Sequence, residues 1–299
     1  MKNLTAAAIA ATLLLAACGG GQQDATESAA TGAADATTAS EELAALFEWS
    51  FEENLKLNPI SATSIGDDRY DDRFALSLSQ EYRDADEALD REALERLLAI
   101  DRDALSYQEQ LSYDIFRIQR EQSLEGNRFP SHLQPINQFY LITNFFVQLG
   151  SGKSIHPFNT VKNYDDWLSR ADDIVTNIDL AIENMQQGIE EGVVQPRVLM
   201  EKVVPQLEAN IVDDAEDSNF WMPITDMPED FSDADRERLT AAYRDAIENK
   251  WIPAFERLNN FIGDTYLAAS RETVGLGDLP NGKAWYEYMV RVRTTTDMT

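Results

Sequence analysis

Two histidines and a single cysteine, set among 53 acidic residues, are what this chain of 299 residues offers for a reactive centre. Zinc peptidases commonly place two imidazoles one helical turn apart, with a glutamate between them as general base. Here His132 and His156 stand 24 residues apart and are followed by Leu133 and Pro157. Pro130, Pro135 and Pro157 lie close by, so both histidines read as loop or helix-end residues. The run from Gly277 to Lys283 matches the GxxxxGK spacing of a phosphate cradle. Ala284, however, stands where a magnesium-binding Ser or Thr belongs, and Pro280 removes one backbone donor. The run reads as a connection between helices. Two acid clusters, Asp67 to Asp72 and Asp213 to Asp217, lack the order of a calcium loop with glycine at its sixth place. They read as turns and helix caps. No GxSxG is present, and a serine triad would depend on one of the two loop histidines. Carboxylate pairs can act as acid and base, but no pair stands out among so many. The residues alone show no catalytic constellation and no metal-ligand set.

The charge balance narrows the partners. With 25 basic residues the formal net charge is −28. Such a chain has no basic surface with which to displace counterions from phosphates, which excludes nucleic acid. It also lacks the means for electrostatic docking on an anionic membrane.

The N-terminus carries an address instead. MKNLTAAAIAATLLLAAC has one positive residue, Lys2, and an apolar run from Ala6 to Ala17 that is too short to span a bilayer. Leu15-Ala16-Ala17-Cys18 looks like the lipobox of bacterial lipoproteins. In that class the sulfur takes a diacylglyceryl group and cleavage makes Cys18 the new N-terminus. Residues 1–17 are thus expected to be a signal peptide and Cys18 the lipid-bearing residue. Loss of Lys2 leaves a mature side-chain charge of 24 − 53 = −29. Residues 18–40 are low in complexity and read as a flexible tether. Its 22 residues after Cys18 would hold the body roughly 25 Å from the anchor. The expected location is the bacterial cell envelope, at the periplasmic face of the outer membrane.

From residue 41 to 299 the periodicity is helical. Ser40 is expected to cap a first helix carrying Leu43, Phe47, Phe51 and Leu55 on one face and ending before Pro59. A charged helix near Asp84 to Ile100 points Leu89, Leu94, Leu97 and Leu98 inward. Ser106 and Glu109 form a capping box for a helix with Leu111, Ile115 and Ile118. Pro135 to Leu149 has no polar face and should be buried. Asn163 is expected to cap a long helix with Trp167, Ala171, Ile174, Ile178, Met185 and Ile189 in a stripe. A shorter helix follows Pro196. The longest pattern runs from Ser232 to about Ser270, with a kink at Pro253. A final helix places Trp285, Met289 and Val292 on one side. The fold class is therefore all-α: an antiparallel bundle of about eight helices with short loops.

Five phrases add a resemblance. They are LKLNPISATSIGDDRYDDR (55–73), LLAIDRDALSYQEQLSYDIF (97–116), NYDDWLSRADDIVTNID (163–179), GIEEGVVQPR (188–197) and LPNGKAWYEYMVRVRTTTD (279–297). Together, behind a lipobox, they resemble the domain-of-unknown-function-885 family of bacterial proteins, many of them lipoproteins. The resemblance covers about residues 43–299. Family members are similar to helical zinc metallopeptidases of the gluzincin type. It implies a His-Glu…Gly-His-His cluster in a C-terminal half, in chains about twice this length. Nothing here corresponds to that cluster, so zinc is expected only with the missing C-terminal half, and this chain is expected to be an N-terminal half, inactive alone. It would line one wall of a peptide cleft. Tyr286, Tyr288, Arg291 and Arg293 are the candidate contacts, an arginine being able to take a peptide carboxylate by paired hydrogen bonds. The alternative for these four is to pack against, or be solvated beside, the missing half. The alternative for the whole is a complete, non-catalytic helical lipoprotein that binds peptides or an envelope partner.

Overall fold

The structure, a computed structural model, describes residues 23–296 and 298, with side chains from residue 37 onward. The signal segment and Cys18 lie outside the described residues. Among the described residues there is no strand, only an isolated bridge between Pro196 and Arg271. No helix among them is long and apolar enough to cross a membrane.

The helices are α1 (Gln23–Leu57), α2 (Pro59–Ser64), α3 (Gln80–Leu98), α4 (Tyr107–Gly126), α5 (Ile142–Gly150) and α6 (Val161–Glu191). After them come α7 (Arg197–Glu208), α8 (Met222–Thr225), α9 (Asp233–Ala246), α10 (Ile252–Phe261), α11 (Leu267–Ala269) and α12 (Gly282–Thr294). α9, α10 and α11 are joined end to end by π-turns, so the long elements match the expected bundle.

Three apolar clusters organise these helices. The largest is built around α6, whose stripe Trp167, Ala171, Ile174, Ile178 and Met185 is fully buried against α5, α7 and the α9–α11 rod. Burying each such large side chain contributes about 1.5–3 kcal/mol. Phe146, Trp167, Phe220, Trp251 and Phe255 meet edge-on or tilted at its centre. A second cluster joins α1, α3 and α4 through Leu43, Leu46, Leu97 and Tyr113. A third, of Phe129, Leu133, Val193, Leu279 and Trp285, fastens α12 to the body.

Several details depart from the sequence reading. α1 begins at Gln23, inside the segment read as a tether, so Ser40 lies within a helix rather than at its start. Ala39 is buried with Leu43 and Leu46, which carries the packed body back past residue 41. The alanines of this stretch suit a helix. α6 is capped by Thr160, with Asn163 as its reciprocal partner three residues in. Thr160 Oγ1 accepts from the Asn163 amide, while Asn163 Oδ1 accepts from the Thr160 amide. Where a kink at Pro253 is expected, the helix carries a π-turn, Ile247–Trp251, ending two residues before the proline. Proline offers no N–H to the preceding turn, and the Ile252 amide instead reaches back five residues to the Ile247 carbonyl. Leu98 is exposed, as are Phe139 and Tyr140 within the segment expected to be buried.

Candidate cleft wall

α12 is held in place from three directions. The chain enters it through Asn281, in the left-handed region at φ 57°, and Gly282 packs so tightly on the Leu276 carbonyl that a Cβ would not fit. Upstream, the Arg197 amide donates to the Arg271 carbonyl (2.8 Å) and the Arg271 amide to the Gln195 carbonyl (3.2 Å), tying the preceding loop to the α6–α7 turn. The Gly277–Lys283 run is therefore a loop folded on itself, with no room at Gly282 for a phosphate, and Lys283 points to solvent. From below, Trp285 stacks on Phe129 with ring centroids 5.8 Å apart.

The four candidate contacts divide into two pairs. The Tyr288 hydroxyl donates to the Gln122 carbonyl of α4 (2.9 Å), and burial raises its pKa above the ordinary value. Arg291 Nη2 reaches both carboxylate oxygens of Glu125 at 2.6 and 2.5 Å. These two side chains face α4. Tyr286 and Arg293 sit on the other side of α12 and are exposed. An arginine already engaged by Glu125 is a poor receptor for a peptide carboxylate, which leaves Tyr286 and Arg293 as the groups open to a ligand.

α4 carries a second feature. Leu111, Ile115, Ile118, Gln122 and Glu125 follow one another by four, three, four and three residues, so they share one face. α12 meets this face at Gln122 and Glu125. Its other end stays open: Leu111, Ile115 and Ile118 are 39%, 58% and 44% exposed. Beside Ile115, a groove of about 500 Å³ opens between α1 and α4, with Phe51, 50% exposed, on its far side. The sequence places these residues on a helix without saying what covers them. The packed face is instead the one bearing Tyr113 and Arg120, and Arg120 Nη1 pairs with Asp90 of α3 at 2.7 Å. Periodicity shows that a helix has an apolar face but not which neighbour covers it.

The histidines and acids have local duties. His156 Nε2 lies 3.0 Å from the Asn163 carbonyl, an acceptor only, so this nitrogen carries the proton. Its Nδ1 then accepts from Arg170 Nη1 at 3.1 Å. Burial pulls the imidazole down from 6.5 to about 4. Asp67 accepts from Arg69, Asp71 from Arg170, and Glu216 from Arg244. Among the described residues no three His, Cys, Asp or Glu side chains stand together as a metal site. His156 has both nitrogens engaged and His132 belongs to no group of three ligands among the described residues, so these residues do not fit zinc.

The family model for "Bacterial protein of unknown function (DUF885)" matches residues 59–299. This chain belongs to the DUF885 family. No curated protein matches the sequence. A crystal structure described as that of "the putative lipoprotein from Colwellia psychrerythraea" is similar at TM-score 0.69 and 13% identity. The similarity covers 87% of this chain and 47% of that one, so the DUF885 chain spans about half the length of that protein. At this identity the likeness speaks for the fold. The matched family segment opens at Pro59, and so takes in Thr63 and Asp71, which α6 anchors through Arg170.

Proposed function

We propose that this DUF885 chain is the N-terminal, non-catalytic helical half of a lipid-anchored, zinc-dependent peptidase, and that it has no activity alone. The observation that carries this reading is the face of α4. α12 covers one end of it, and the other end presents Leu111, Ile115, Ile118 and the neighbouring Phe51 to solvent. Exposed apolar side chains grouped on one face in this way support an interaction surface. The half-length match to the Colwellia protein supports a companion half of comparable size. Tyr286 and Arg293 would contribute to one wall of the peptide cleft, Cys18 would carry the lipid, and the protein would sit at the periplasmic face of the outer membrane. Its zinc would belong to the companion half.

Two experiments test this. Sequencing the DNA beyond codon 299 should reveal a reading frame encoding a His-Glu cluster, whereas a kilobase of unrelated sequence would count against the proposal. Metabolic labelling with palmitate should mark the wild-type chain and leave Cys18→Ser unlabelled. Equal labelling of both would remove the anchor.

A second reading, a complete non-catalytic lipoprotein, draws on the closed core around α6. It requires a monodisperse, cooperatively melting chain that binds peptide or an envelope partner without zinc. Aggregation of the purified chain would argue against it.

A further inference from the structure

A cleft of about 390 Å³ opens where α3, the connection between α4 and α5, and α6 meet. Clefts between packed elements are favoured places for small ligands, and this one borders the largest apolar cluster through Ile136, Ile142 and Ala181. Tyr82, Arg83, Asp86, His132, Ile136 and Ile142 are among its walls.

Two opposite charges line it without pairing. Arg83 and Asp86 are three residues apart on α3, which places their Cβ atoms about 5–6 Å apart on one face. Arg83 is fixed by donating to the Leu78 carbonyl and to Gln80 Oε1, both at 2.7 Å, and it makes no ion pair among the described residues. Asp86 has neither an ion pair nor a hydrogen bond among them. Arg120 acts on it, but donates to Asp90 instead. Burial raises the Asp86 carboxyl above its ordinary range, the neighbouring Asp90 adds to this, and Arg120 opposes it. Burial and the neighbouring Arg83 lower the pKa of His132, which also lines the cleft, and Glu191 opposes them. The floor is apolar, with Ile136 buried and Ile142 partly so. An unpaired anion and a cation without an ion pair in one concavity form a dipolar receptor.

We propose that this cleft binds a free aliphatic amino acid, its ammonium on Asp86, its carboxylate on Arg83 and its side chain on Ile136 and Ile142. The site makes no use of α12 or of the α4 face, so it stands independently of the peptidase reading.

Isothermal titration of the full chain with L-leucine, leucinamide and N-acetyl-leucine tests it. Leucine should bind at one site, at least tenfold more tightly than either blocked form. Asp86→Asn should weaken leucine at least tenfold and leave N-acetyl-leucine unchanged. Arg83→Gln should weaken leucine while leaving leucinamide unchanged. Absence of saturable leucine binding, equal binding of all three compounds, or undiminished leucine binding by Asp86→Asn would each overturn the proposal. If a variant melts before titration, the three ligands compared on the unaltered chain decide the matter.

Discussion

Arg170 and Asp71 stand 99 residues apart in the chain, yet Nη2 of the arginine lies 3.2 Å from the aspartate's Oδ1, with both side chains buried. The same guanidinium donates to Thr63 Oγ1 (2.8 Å) and to the carbonyls of Tyr70 (2.9 Å) and Arg73 (2.9 Å). One side chain of α6 thereby fixes the whole turn-rich segment between α2 and α3. Burial lowers the arginine's pKa and Asp71 opposes that shift.

Removing one partner of such a pair leaves the other buried and uncompensated, at a cost of about 3–5 kcal/mol. Arg170→Met should lose stability on that scale in urea unfolding, and the segment 65–73 should lose protection from amide exchange. A loss below about 1 kcal/mol would show that water readily replaces the arginine.

The His156 imidazole leads to a pH dependence. Its folded pKa of about 4 lies below the ordinary 6.5, so between those values the unfolded chain binds the extra proton. Its contribution is therefore fully present above about pH 6.5 and is lost as pH falls toward 4. At 1.36 kcal/mol per unit, the loss amounts to about 3 kcal/mol. Unfolding free energies measured from pH 7 to 4.5 should fall more steeply for the unaltered chain than for His156→Gln. Parallel curves would contradict this assignment.

Gly150, at the end of α5, sits against the indole of Trp167, and a Cβ there would also lie 2.8 Å from Phe220. Alanine favours a helix by up to about 1 kcal/mol, but overpacking a filled core costs about 1–3 kcal/mol. Gly150→Ala is accordingly expected to lower the melting temperature despite its better propensity. A stabilised variant would mean that α5 shifts freely.

The open face of α4 should behave unlike the core. Ile115→Ser should change the stability of the isolated chain by no more than about 0.5 kcal/mol. Leu97→Ala, fully buried between α1, α3 and α4, should cost about 2–5 kcal/mol. Chemical denaturation of both variants checks this. A large loss for Ile115→Ser would mean that the α4 face is already covered within the chain.

Much of the fold is legible in the residues. The α6 stripe follows from 3.6-residue periodicity, the Ser106–Glu109 capping box is formed, and α1 stops before Pro59. Less visible were features that depend on distant partners. Nothing around Arg170 distinguishes a buried arginine from a surface one, because all its acceptors but His156 lie about a hundred residues away. Similarly, Leu111, Ile115 and Ile118 have helical spacing, but only the packed structure shows that α3 turns to another face of α4. Of the candidate cleft contacts, sequence supplied the helix and its inward Trp285. The engagement of Tyr288 and Arg291 with α4 needed three dimensions.

The most direct test of the half-enzyme account is zinc-dependent hydrolysis of a peptide library. The assay compares this chain alone with the chain mixed with the polypeptide encoded beyond codon 299. The account predicts no cleavage by the chain alone, cleavage on mixing, and its loss when Ile115→Asp blocks docking. Cleavage by this chain alone, or none on mixing with a companion that carries the His-Glu cluster, would contradict it.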